Sequence, residues 1–476
     1  TLPVPWGDEA YFLYQAKAFS ESNSFIAPEL DPARPLFLLP FVYGAVVGVV
    51  FKVFGYSLTV ARWVSFACVM TGFACLAVTV RRHAAPLAAV GLVGLFMINQ
   101  YFIVLGNVAR MEALVFATIC VVIGLLGRGN RWSALAVCLL TPMIHPNGMY
   151  FLVPMVVYLS VVGTLRTTPS AADRALGLAV MAVWLMNAGY GIAYWDGFLH
   201  DQAYRFAQTG AAHEGLSQFS GWAAAELTLI LLTGVVGRWR DVAVGHLLVV
   251  AVGAWLAAYV RLEQWYEPYR LLVYLLLGLA WMELAGAVVG RALSPARHAA
   301  VLAATTAMVL TVGLFYAGGI LQGPVNYLDD MEVSGMRIDR KDVYFAEADR
   351  EALRAVIGGL ETSCGAVVEV YPWGAGLLVD GLGLGRTRVQ LPYFDPLISP
   401  RGPWMFGYGP APGPLPDLYL VHASRYHPPD PDRRGDRFMA NALVRSGARQ
   451  ATLVHARSGT ELWYVVQPPS RPGAGC

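Results

Sequence analysis

Residues 58–82, LTVARWVSFACVMTGFACLAVTVRR, decide the fold. The apolar run over 58–80 is long enough to cross the hydrocarbon core of a bilayer, about 30 Å thick, and Arg62 is its only charged residue. Arg81 and Arg82 follow it directly. An apolar span that ends in paired arginines predicts a transmembrane helix whose C-terminal end faces the cytoplasm.

The composition of the whole chain indicates many such spans. Hydrophobic residues make up 56% of the 476 residues and charged residues only 14%, whereas soluble domains carry about 25% charged residues. The mean hydropathy is +0.50. We therefore predict a polytopic membrane protein. The net charge of +2 and the dispersed basic residues argue against a nucleic-acid partner.

Ten segments qualify as candidate spans. They lie at 58–80, 85–105, 112–127, 132–147, 149–165, 175–195, 223–237, 242–260, 270–290 and 299–320. Alternate connections each carry two arginines: Arg81 with Arg82, Arg128 with Arg131, Arg166 with Arg174, Arg238 with Arg240, and Arg291 with Arg297. The positive-inside rule makes these five connections cytoplasmic. The remaining connections and the tail after about residue 321 are then predicted to lie outside.

The segment from Pro35 to Phe54 allows two interpretations, because it is also apolar and long enough to cross. Lys52 lies near its end, and only three residues separate it from the next span. Both features favour a helix that lies in the membrane interface, so residues 1–57 are predicted to form the first external loop. The chain begins at Thr1 without a methionine, and we expect that an N-terminal signal-anchor helix is missing from it.

The tail, 321–476, is richer in proline, glycine and charge than the spans. Its hydrophobic periodicity predicts helices at Asp349–Leu360 and Arg437–Arg445, and strands at Ala366–Tyr371, Asp417–Val421, Ala451–Val454 and Glu461–Val466. Pro392–Pro416 is predicted to be a loop, and the glycines of Gly381–Gly385 a flexible turn. The fold class we predict is mainly α: a polytopic membrane helix bundle (1–320) with an interfacial helix, followed by a small extracytoplasmic α/β domain (321–476).

Two adjacent carboxylates, Asp8 and Glu9, stand at the head of this apolar chain. A membrane protein retains such a pair only where water or a substrate meets it, because a carboxylate in hydrocarbon is costly. The pair is therefore either a functional site or part of an ordinary solvated loop.

The surrounding motifs resemble a known family. They are Asp8-Glu9-Ala10-Tyr11, Arg34-Pro35-Leu36, Phe54-Gly55-Tyr56-Ser57, Ala61-Arg62-Trp63, Ala109-Arg110-Met111-Glu112 and Gln264-Trp265-Tyr266-Glu267-Pro268-Tyr269-Arg270. In order and spacing they resemble the external loops of GT-C membrane glycosyltransferases, in the branch of the dolichyl-phosphate-mannose protein mannosyltransferases and the aminoarabinose transferases. The resemblance implies a GT-C-like fold and transfer of a sugar from a polyprenyl-phosphate carrier to a lipid, glycan or protein acceptor.

The same resemblance implies roles for particular residues. Asp8 is the candidate base that takes the proton of the acceptor hydroxyl in a single inverting displacement. Glu9 is the second candidate catalytic carboxylate, and it holds either a hydroxyl group or a water molecule. A divalent metal held by Asp8, Glu9 and Glu112 is an alternative left open. Arg62, Arg110 and Arg270 are candidate ligands of the carrier phosphate. Glu112, His145 and Tyr266 are the other candidate substrate-binding residues.

Each candidate also has a plainer interpretation. Arg62 and Arg270 could reach the lipid headgroups, and Arg110 with Glu112 could form a local ion pair. His145 stands where relatives place a lysine, and it could be an ordinary turn residue. Tyr266 could belong to the aromatic belt at the membrane surface instead of lining a lipid groove.

Competing functions are a lipid-linked oligosaccharide polymerase or ligase, a polytopic transporter or flippase of the envelope, and a non-enzymatic scaffold. A transporter commonly shows internal repeats or charged residues in mid-span, and these segments have almost none. The abundance of arginine, alanine, glycine and valine indicates GC-rich coding DNA. We therefore expect a bacterial inner membrane, with membrane lipid around the bundle and the active site on its outer face.

Overall fold

The computed structural model describes residues 2–3, 7–37, 40–81, 86–162, 167–202, 216–236, 242–259, 267–289, 311, 331–333, 336–338, 344–345, 347–358, 366–371, 373–382, 387–391, 393–395, 407–409, 416–422, 447, 452–457 and 460–466. A two-residue strand, β1 (Leu2–Pro3), begins the described chain, and helices make up almost all of the rest up to residue 289. Their order is α1 (Gly7–Ser22), α2 (Val42–Phe54), α3 (Leu58–Val80), α4 (Pro86–Met97), α5 (Gln100–Asn107), α6 (Met111–Gly127), α7 (Arg131–Ile144), a 3-10 turn (Pro146–Gly148), α8 (Met149–Val161), α9 (Ala171–Ala193), α10 (195–202), α11 (Leu216–Val236), α12 (Val242–Tyr259) and α13 (Glu267–Val289).

Three described helices are long and apolar enough to cross a bilayer. They are Leu58–Val80, Ala171–Ala193 and the Pro268–Ala285 part of α13. The shorter helices Met111–Gly127, Arg131–Ile144 and Val244–Tyr259 are apolar too. The chain is therefore a multi-pass membrane protein, as its composition predicts.

Eight of the ten predicted spans coincide with one helix each, allowing for shifted ends. The predicted span 85–105 is wrong as a single helix, because α4 and α5 meet at an angle of 61°. Asn99 makes this break: its side chain accepts a hydrogen bond from the Tyr101 N–H and caps α5. Helices α4 and α5 together would make a fourth membrane span, broken in the middle. The predicted span 299–320 lies outside the described residues, apart from Thr311.

Helices α3 and α6 pack side by side and run in the same direction. Near their N-terminal ends, the Arg110 N–H donates to Ser65 Oγ at 3.3 Å. Near their C-terminal ends, Gly124 and Gly127 leave room for Thr79, which an added Cβ at either glycine would meet at 3.3 Å. Both N-termini therefore lie at one end of the bundle, which we call the α1 end because helix α1 contacts it.

The described arginines of the predicted cytoplasmic connections lie at the opposite end. Arg81 and Arg128 cap the C-termini of α3 and α6. The start of α7 reaches the start of α9, since the Trp132 indole N–H donates to Thr167 Oγ1 at 3.1 Å. A capping box of Ser170 with Asp173 begins α9 there.

Helix α2 is too short to cross the membrane. Its 13 residues rise about 20 Å, against a hydrocarbon core of about 30 Å. One face packs on α1, and Gly48 permits the closest approach, because a Cβ there would lie 2.8 Å from the Ala16 carbonyl oxygen. Val53 and Phe54 on its other side are 72% exposed. This amphipathic placement agrees with the interfacial helix predicted for Pro35–Phe54.

The described chain after residue 330 is α/β. Its elements are β2 (Met331–Val333), β3 (Met336–Ile338), β4 (Tyr344–Phe345), α14 (Glu347–Gly358), β5 (Ala366–Tyr371), α15 (Trp373–Asp380), β6 (Thr387–Gln390), β7 (Tyr393–Asp395), β8 (Gly407–Gly409), β9 (Leu418–His422), β10 (Thr452–Arg457) and β11 (Thr460–Val466). A five-stranded sheet has the order β10-β11-β9-β5-β6, in which β5 is parallel to β6 and β9 and the other pairs are antiparallel. We call this sheet with α14 and α15 the C-terminal module.

The predicted α/β tail is thus confirmed, with local corrections. The helix predicted at Asp349–Leu360 is α14, and the four predicted strands are β5, β9, β10 and β11. The loop prediction for Pro392–Pro416 is wrong in part, because β7 and β8 pair antiparallel within it. Helix α15 and strand β6 were not predicted. The helix predicted at Arg437–Arg445 lies outside the described residues.

Candidate active site

Among the described carboxylates at the α1 end, Glu9 accepts more hydrogen bonds than Glu112 does. Arg62 Nε donates to its Oε1 at 2.9 Å, and Arg62 Nη2 donates to its Oε2 at 2.8 Å. The Ala109 N–H also donates to Oε1, at 2.6 Å. The carboxylate is 0% exposed. These bonds join the first turn of α1 to α3 and to the segment that leads into α6.

Arg110 and Glu112 form a second buried pair beside the first. Arg110 Nε and Nη2 donate to the two carboxylate oxygens of Glu112 at 3.1 and 2.7 Å. Arg110 is the N-cap residue of α6, and Glu112 lies in the first turn, where the helix dipole favours a negative charge. Ser65, which accepts from the Arg110 N–H, also shares a hydrogen bond of 2.9 Å with the Tyr43 hydroxyl. Helices α2, α3 and α6 are therefore connected around Arg110.

Asp8 precedes Glu9 within the first turn of α1. Adjacent Cα atoms lie about 3.8 Å apart, so the Asp8 backbone stands next to this double ion pair. Its side chain is not among the described ones. Of the residues singled out from the sequence, the structure thus brings together the Asp8 backbone, Glu9, Arg62, Arg110 and Glu112.

Arg270 forms a third buried pair, on other helices. Arg270 Nε donates to Glu226 Oε1 at 2.7 Å, and the Tyr274 hydroxyl donates to the same oxygen at 2.6 Å. Glu226, in α11, is 0% exposed. Sequence reasoning missed Glu226, Ser65 and Tyr43. A lone carboxylate inside the apolar run 223–237 was the available signal for Glu226, since such residues are costly in a membrane.

His145 is buried at the turn between α7 and α8. Its Nδ1 accepts a hydrogen bond of 2.9 Å from the Asn147 N–H, which leaves the ring proton on Nε2. Further along α8, Phe151 contacts the Tyr269 ring at a centroid distance of 6.1 Å. This contact brings the N-terminal ends of α8 and α13 together. Tyr266 lies outside the described residues.

The three described arginines singled out from the sequence are ion-paired, and for Arg110 this is the local pair with Glu112 that was its plainer interpretation. Arg62, Arg110 and Arg270 are each paired with a carboxylate, and their side chains are 11%, 9% and 5% exposed. The Arg62–Glu9 and Arg110–Glu112 pairs are bidentate, which fixes the planes of those two guanidinium groups. Arg270 bonds Glu226 through Nε alone.

The described carboxylates at the α1 end do not fit a metal site. Glu9 accepts three hydrogen bonds and Glu112 accepts two from guanidinium N–H groups. A cation in contact with either carboxylate would meet the positive charge of its arginine partner. Among the described side chains, no group of three or more His, Cys, Asp or Glu is arranged to hold an ion.

Three comparisons with known proteins give the following results. No family model matches the chain, and no curated protein matches it. Solved structures similar to it include ArnT from Cupriavidus metallidurans bound to undecaprenyl phosphate, at 14% identity and a TM-score of 0.44, covering 98% of this chain and 94% of that one. The same protein in the apo state gives 12% identity and a TM-score of 0.43, with the same coverage.

A third similar structure is the archaeal oligosaccharyltransferase AglB from Archaeoglobus fulgidus, in complex with an inhibitory peptide and a dolichol-phosphate. It is 11% identical, with a TM-score of 0.42, and the match covers 93% of this chain and 68% of that one. At these identities and TM-scores, the similarities alone assign neither a reaction nor a substrate to this chain.

Proposed function

We propose that this chain is an inverting glycosyltransferase of the GT-C type. It moves a sugar from a polyprenyl-phosphate carrier to a lipid, glycan or protein acceptor on the outer face of the cytoplasmic membrane. The observation that carries the proposal is the cluster at the α1 end, where the Asp8-Glu9 turn meets two ion-paired arginines, the partly buried Arg62 and the buried Arg110. Such a cluster combines a proton acceptor with cationic groups, which is what transfer from a phosphate leaving group requires.

The hydrogen bonds of Glu9 support different roles for Asp8 and Glu9. Glu9 accepts hydrogen bonds from Arg62 and from the Ala109 N–H, and it is therefore assigned to hold α1 against α3 and α6. Asp8 is assigned as the general base. The acceptor oxygen attacks the anomeric carbon while its proton passes to the Asp8 carboxylate. The bond from the anomeric carbon to the phosphate oxygen breaks, and polyprenyl phosphate leaves.

Arg110 is the proposed ligand of the carrier phosphate at this end of the bundle. It stands at the N-terminus of α6, where the helix dipole and the first backbone N–H groups favour an anion. A guanidinium has five N–H donors, and Glu112 accepts from the edge formed by Nε and Nη2. Glu112 thereby orients the guanidinium. Arg270 and His145 are proposed to contact the donor from the ends of α13 and α7, with Tyr266 beside the lipid.

The test uses both the chain in cells and the purified chain. Deleting its gene should remove one class of glycosylated lipid, glycan or protein, and the wild-type chain should restore it. In detergent, the purified chain should bind undecaprenyl phosphate, and Arg110→Ala should weaken this binding about tenfold or more. An unchanged profile of glycosylated products after deletion would contradict the transferase proposal.

Two further parts of the proposal concern organisation. Residues 1–320 form the catalytic membrane domain and 321–476 a separate α/β domain on the outer side. The contacts at the α1 end support a shared side for the active site and the C-terminal module, since α1 contacts both.

A further inference from the structure

Helix α1 meets the C-terminal module through a cluster of ionisable side chains. Lys17 Nζ lies 2.8 Å from Glu29 Oε1 and 3.7 Å from Asp380 Oδ2. The Tyr56 hydroxyl donates to the same Asp380 oxygen at 3.2 Å. Lys17 belongs to α1, Glu29 and Tyr56 belong to the first loop, and Asp380 is the last residue of α15. We call this set the α1–α15 junction.

The junction is closely packed and mostly shielded from solvent. The Lys17, Glu29 and Asp380 side chains are 22%, 12% and 12% exposed. At Gly376 a Cβ would lie 3.2 Å from the Tyr14 hydroxyl oxygen, so glycine allows α15 to approach α1. The Leu391 N–H also donates to the Glu29 carbonyl at 2.9 Å. The module is therefore fixed to α1 and the first loop by packing, charge and backbone bonding together.

The charges at the junction do not balance. Two carboxylates face one ammonium group. Burial raises the pKa of Asp380 and Glu29 raises it further, while Lys17 and the hydroxyls of Tyr56 and Tyr14 act in the opposite direction. Burial lowers the pKa of Lys17, but Asp380, Glu29 and Glu21 raise it by more. The net effect is a raised pKa for both partners.

Helix α1 is held at two places along its length. The Arg62 and Ala109 bonds to Glu9 hold its first turn, and the junction holds it at Lys17. Lys17 follows Asp8 by nine residues, a rise of about 14 Å. Because a helix is stiff over this length, the tilt set at Lys17 is transmitted to Asp8.

We propose that Lys17 is a positioning residue of this protein: by neutralising Asp380 and Glu29 it keeps the C-terminal module docked on α1, fixes the tilt of α1, and thereby places Asp8 against the Arg62 and Arg110 cluster. The C-terminal module would then support the geometry of the active site, although it contributes no group to the reaction. For its catalytic consequence this inference rests on the proposed transferase function. Its structural consequence is independent of that function.

The raised pKa of Asp380 gives the junction a direction of pH dependence. A carboxyl whose pKa is higher in the docked state stabilises docking fully below its undocked pKa, and that contribution is lost as the pH rises through the docked pKa. Lys17 limits the loss by neutralising the ionised carboxylate. Removing Lys17 should therefore enlarge the pH dependence, and removing the Asp380 charge should abolish it.

The test is hydrogen–deuterium exchange by mass spectrometry on the full chain in lipid nanodiscs, without substrate, at about pH 5 and about pH 8. Rates are corrected for intrinsic exchange. The variants are Lys17→Gln, Asp380→Asn and their double mutant. Glu351→Gln, an exposed acid-to-amide change elsewhere in the module, is the matched control.

Lys17→Gln should speed exchange several-fold at pH 8, both in α15 and in the first turn of α1, and should approach wild type at pH 5. Asp380→Asn should exchange slowly at both pH values, because Lys17 then still pairs with Glu29. The double mutant should exchange faster than Asp380→Asn at pH 8 but more slowly than Lys17→Gln, because only one of the two carboxylates is then left without Lys17. The control should match the wild type. Wild-type rates in Lys17→Gln at both pH values would overturn the proposal, and so would a change confined to α15.

Turnover gives the catalytic readout. Lys17→Gln should lower kcat more at pH 8 than at pH 5, with a smaller effect on KM, because α1 carries the proposed base and the carrier phosphate is held by other helices. A Lys17→Gln enzyme with the wild-type pH profile would overturn the positioning role even if exchange changes. Because the exchange measurement needs no substrate, it stays interpretable if the chain transfers no sugar.

Discussion

Asp8 and Glu9 are neighbours in one helical turn. Both carboxylate oxygens of Glu9 already accept hydrogen bonds, which makes Glu9 a poor candidate for the general base. The Glu9 carboxylate is buried and accepts hydrogen bonds from Arg62 and from the Ala109 N–H. Removing one member of such a pair leaves the other charge buried and uncompensated, typically at a cost of about 3–5 kcal/mol. The two carboxylates should therefore respond differently to the same substitution.

Asp8→Asn should reduce turnover by about 10²–10⁴-fold, the usual contribution of a general base, and should leave the unfolding temperature near that of the wild type. Glu9→Gln should lower the unfolding temperature, because Arg62 loses its charged partner. Paired measurements of turnover and thermal unfolding in detergent separate the two effects. Full activity in Asp8→Asn would transfer the base role to another carboxylate.

The Arg270–Glu226 pair gives a second prediction for single residues. Arg270→Met alone should destabilise the chain strongly, since the buried Glu226 carboxyl group would lose its cationic partner between α11 and α13. Combining it with Glu226→Gln should recover much of the loss, as a double-mutant cycle measured by thermal unfolding would show. If the losses of stability in the two single mutants simply add in the double mutant, Arg270 and Glu226 are not energetically coupled.

Sequence reasoning found most residues of the candidate site and offered the Arg110–Glu112 pair as one alternative, but it did not find the partners that are distant in sequence. Asp8, Glu9, Arg62, Arg110 and Glu112 stand out because charged residues at span ends are rare in an apolar chain. The pairing of Glu9 with Arg62 and with the Ala109 N–H joins positions 53 and 100 residues apart. Such pairing depends on how the helices pack, which no local pattern contains.

At the scale of elements, hydrophobic periodicity located helices well and their ends less well. The run 85–105 looks continuous, but the capping preference of Asn99 outweighs it and starts a new helix. Helix α15 was missed because its glycines resemble a loop signal. At Gly376 an added Cβ would lie 2.8 Å from Leu391 Cδ2 and 3.2 Å from the Tyr14 hydroxyl oxygen, so close packing and not a turn favours glycine there.

The packing of α2 on α1 is testable with a pair of glycines. Gly48→Ala should destabilise the chain by about 1–3 kcal/mol, because the new Cβ would lie 2.8 Å from both the Ala16 carbonyl oxygen and Phe19 Cδ1. Gly177→Ala in α9, with nothing within 4 Å of the added Cβ, should be neutral or stabilising, since alanine favours helix. Thermal unfolding in detergent measures both. Similar effects of the two changes would show that α2 does not pack tightly on α1.

For the whole molecule, the contacts place α1, the starts of α3 and α6, and the C-terminal module at one end, and Arg81, Arg128 and the start of α9 at the other. The arginine pairs predicted this two-ended arrangement, because charge asymmetry between connections reflects insertion rather than packing. The junction between α1 and the module was not predictable, since Lys17 and Asp380 are 363 positions apart in the sequence.

The last prediction assigns these two ends to the two sides of the membrane. We expect single cysteines replacing Ser22, after the junction in α1, or Glu351, in the module, to react with a membrane-impermeant maleimide applied to intact spheroplasts. A cysteine replacing Thr168, before α9, should react only after the membrane is opened. All three positions are exposed, and Cys364 and Cys476 are first replaced by serine. This labelling pattern is expected because the arginines near Thr168 retain their end of the bundle in the cytoplasm. Labelling of Thr168→Cys in intact spheroplasts, with Ser22→Cys protected, would place Asp8 in the cytoplasm, and an outer-face transferase would then be excluded.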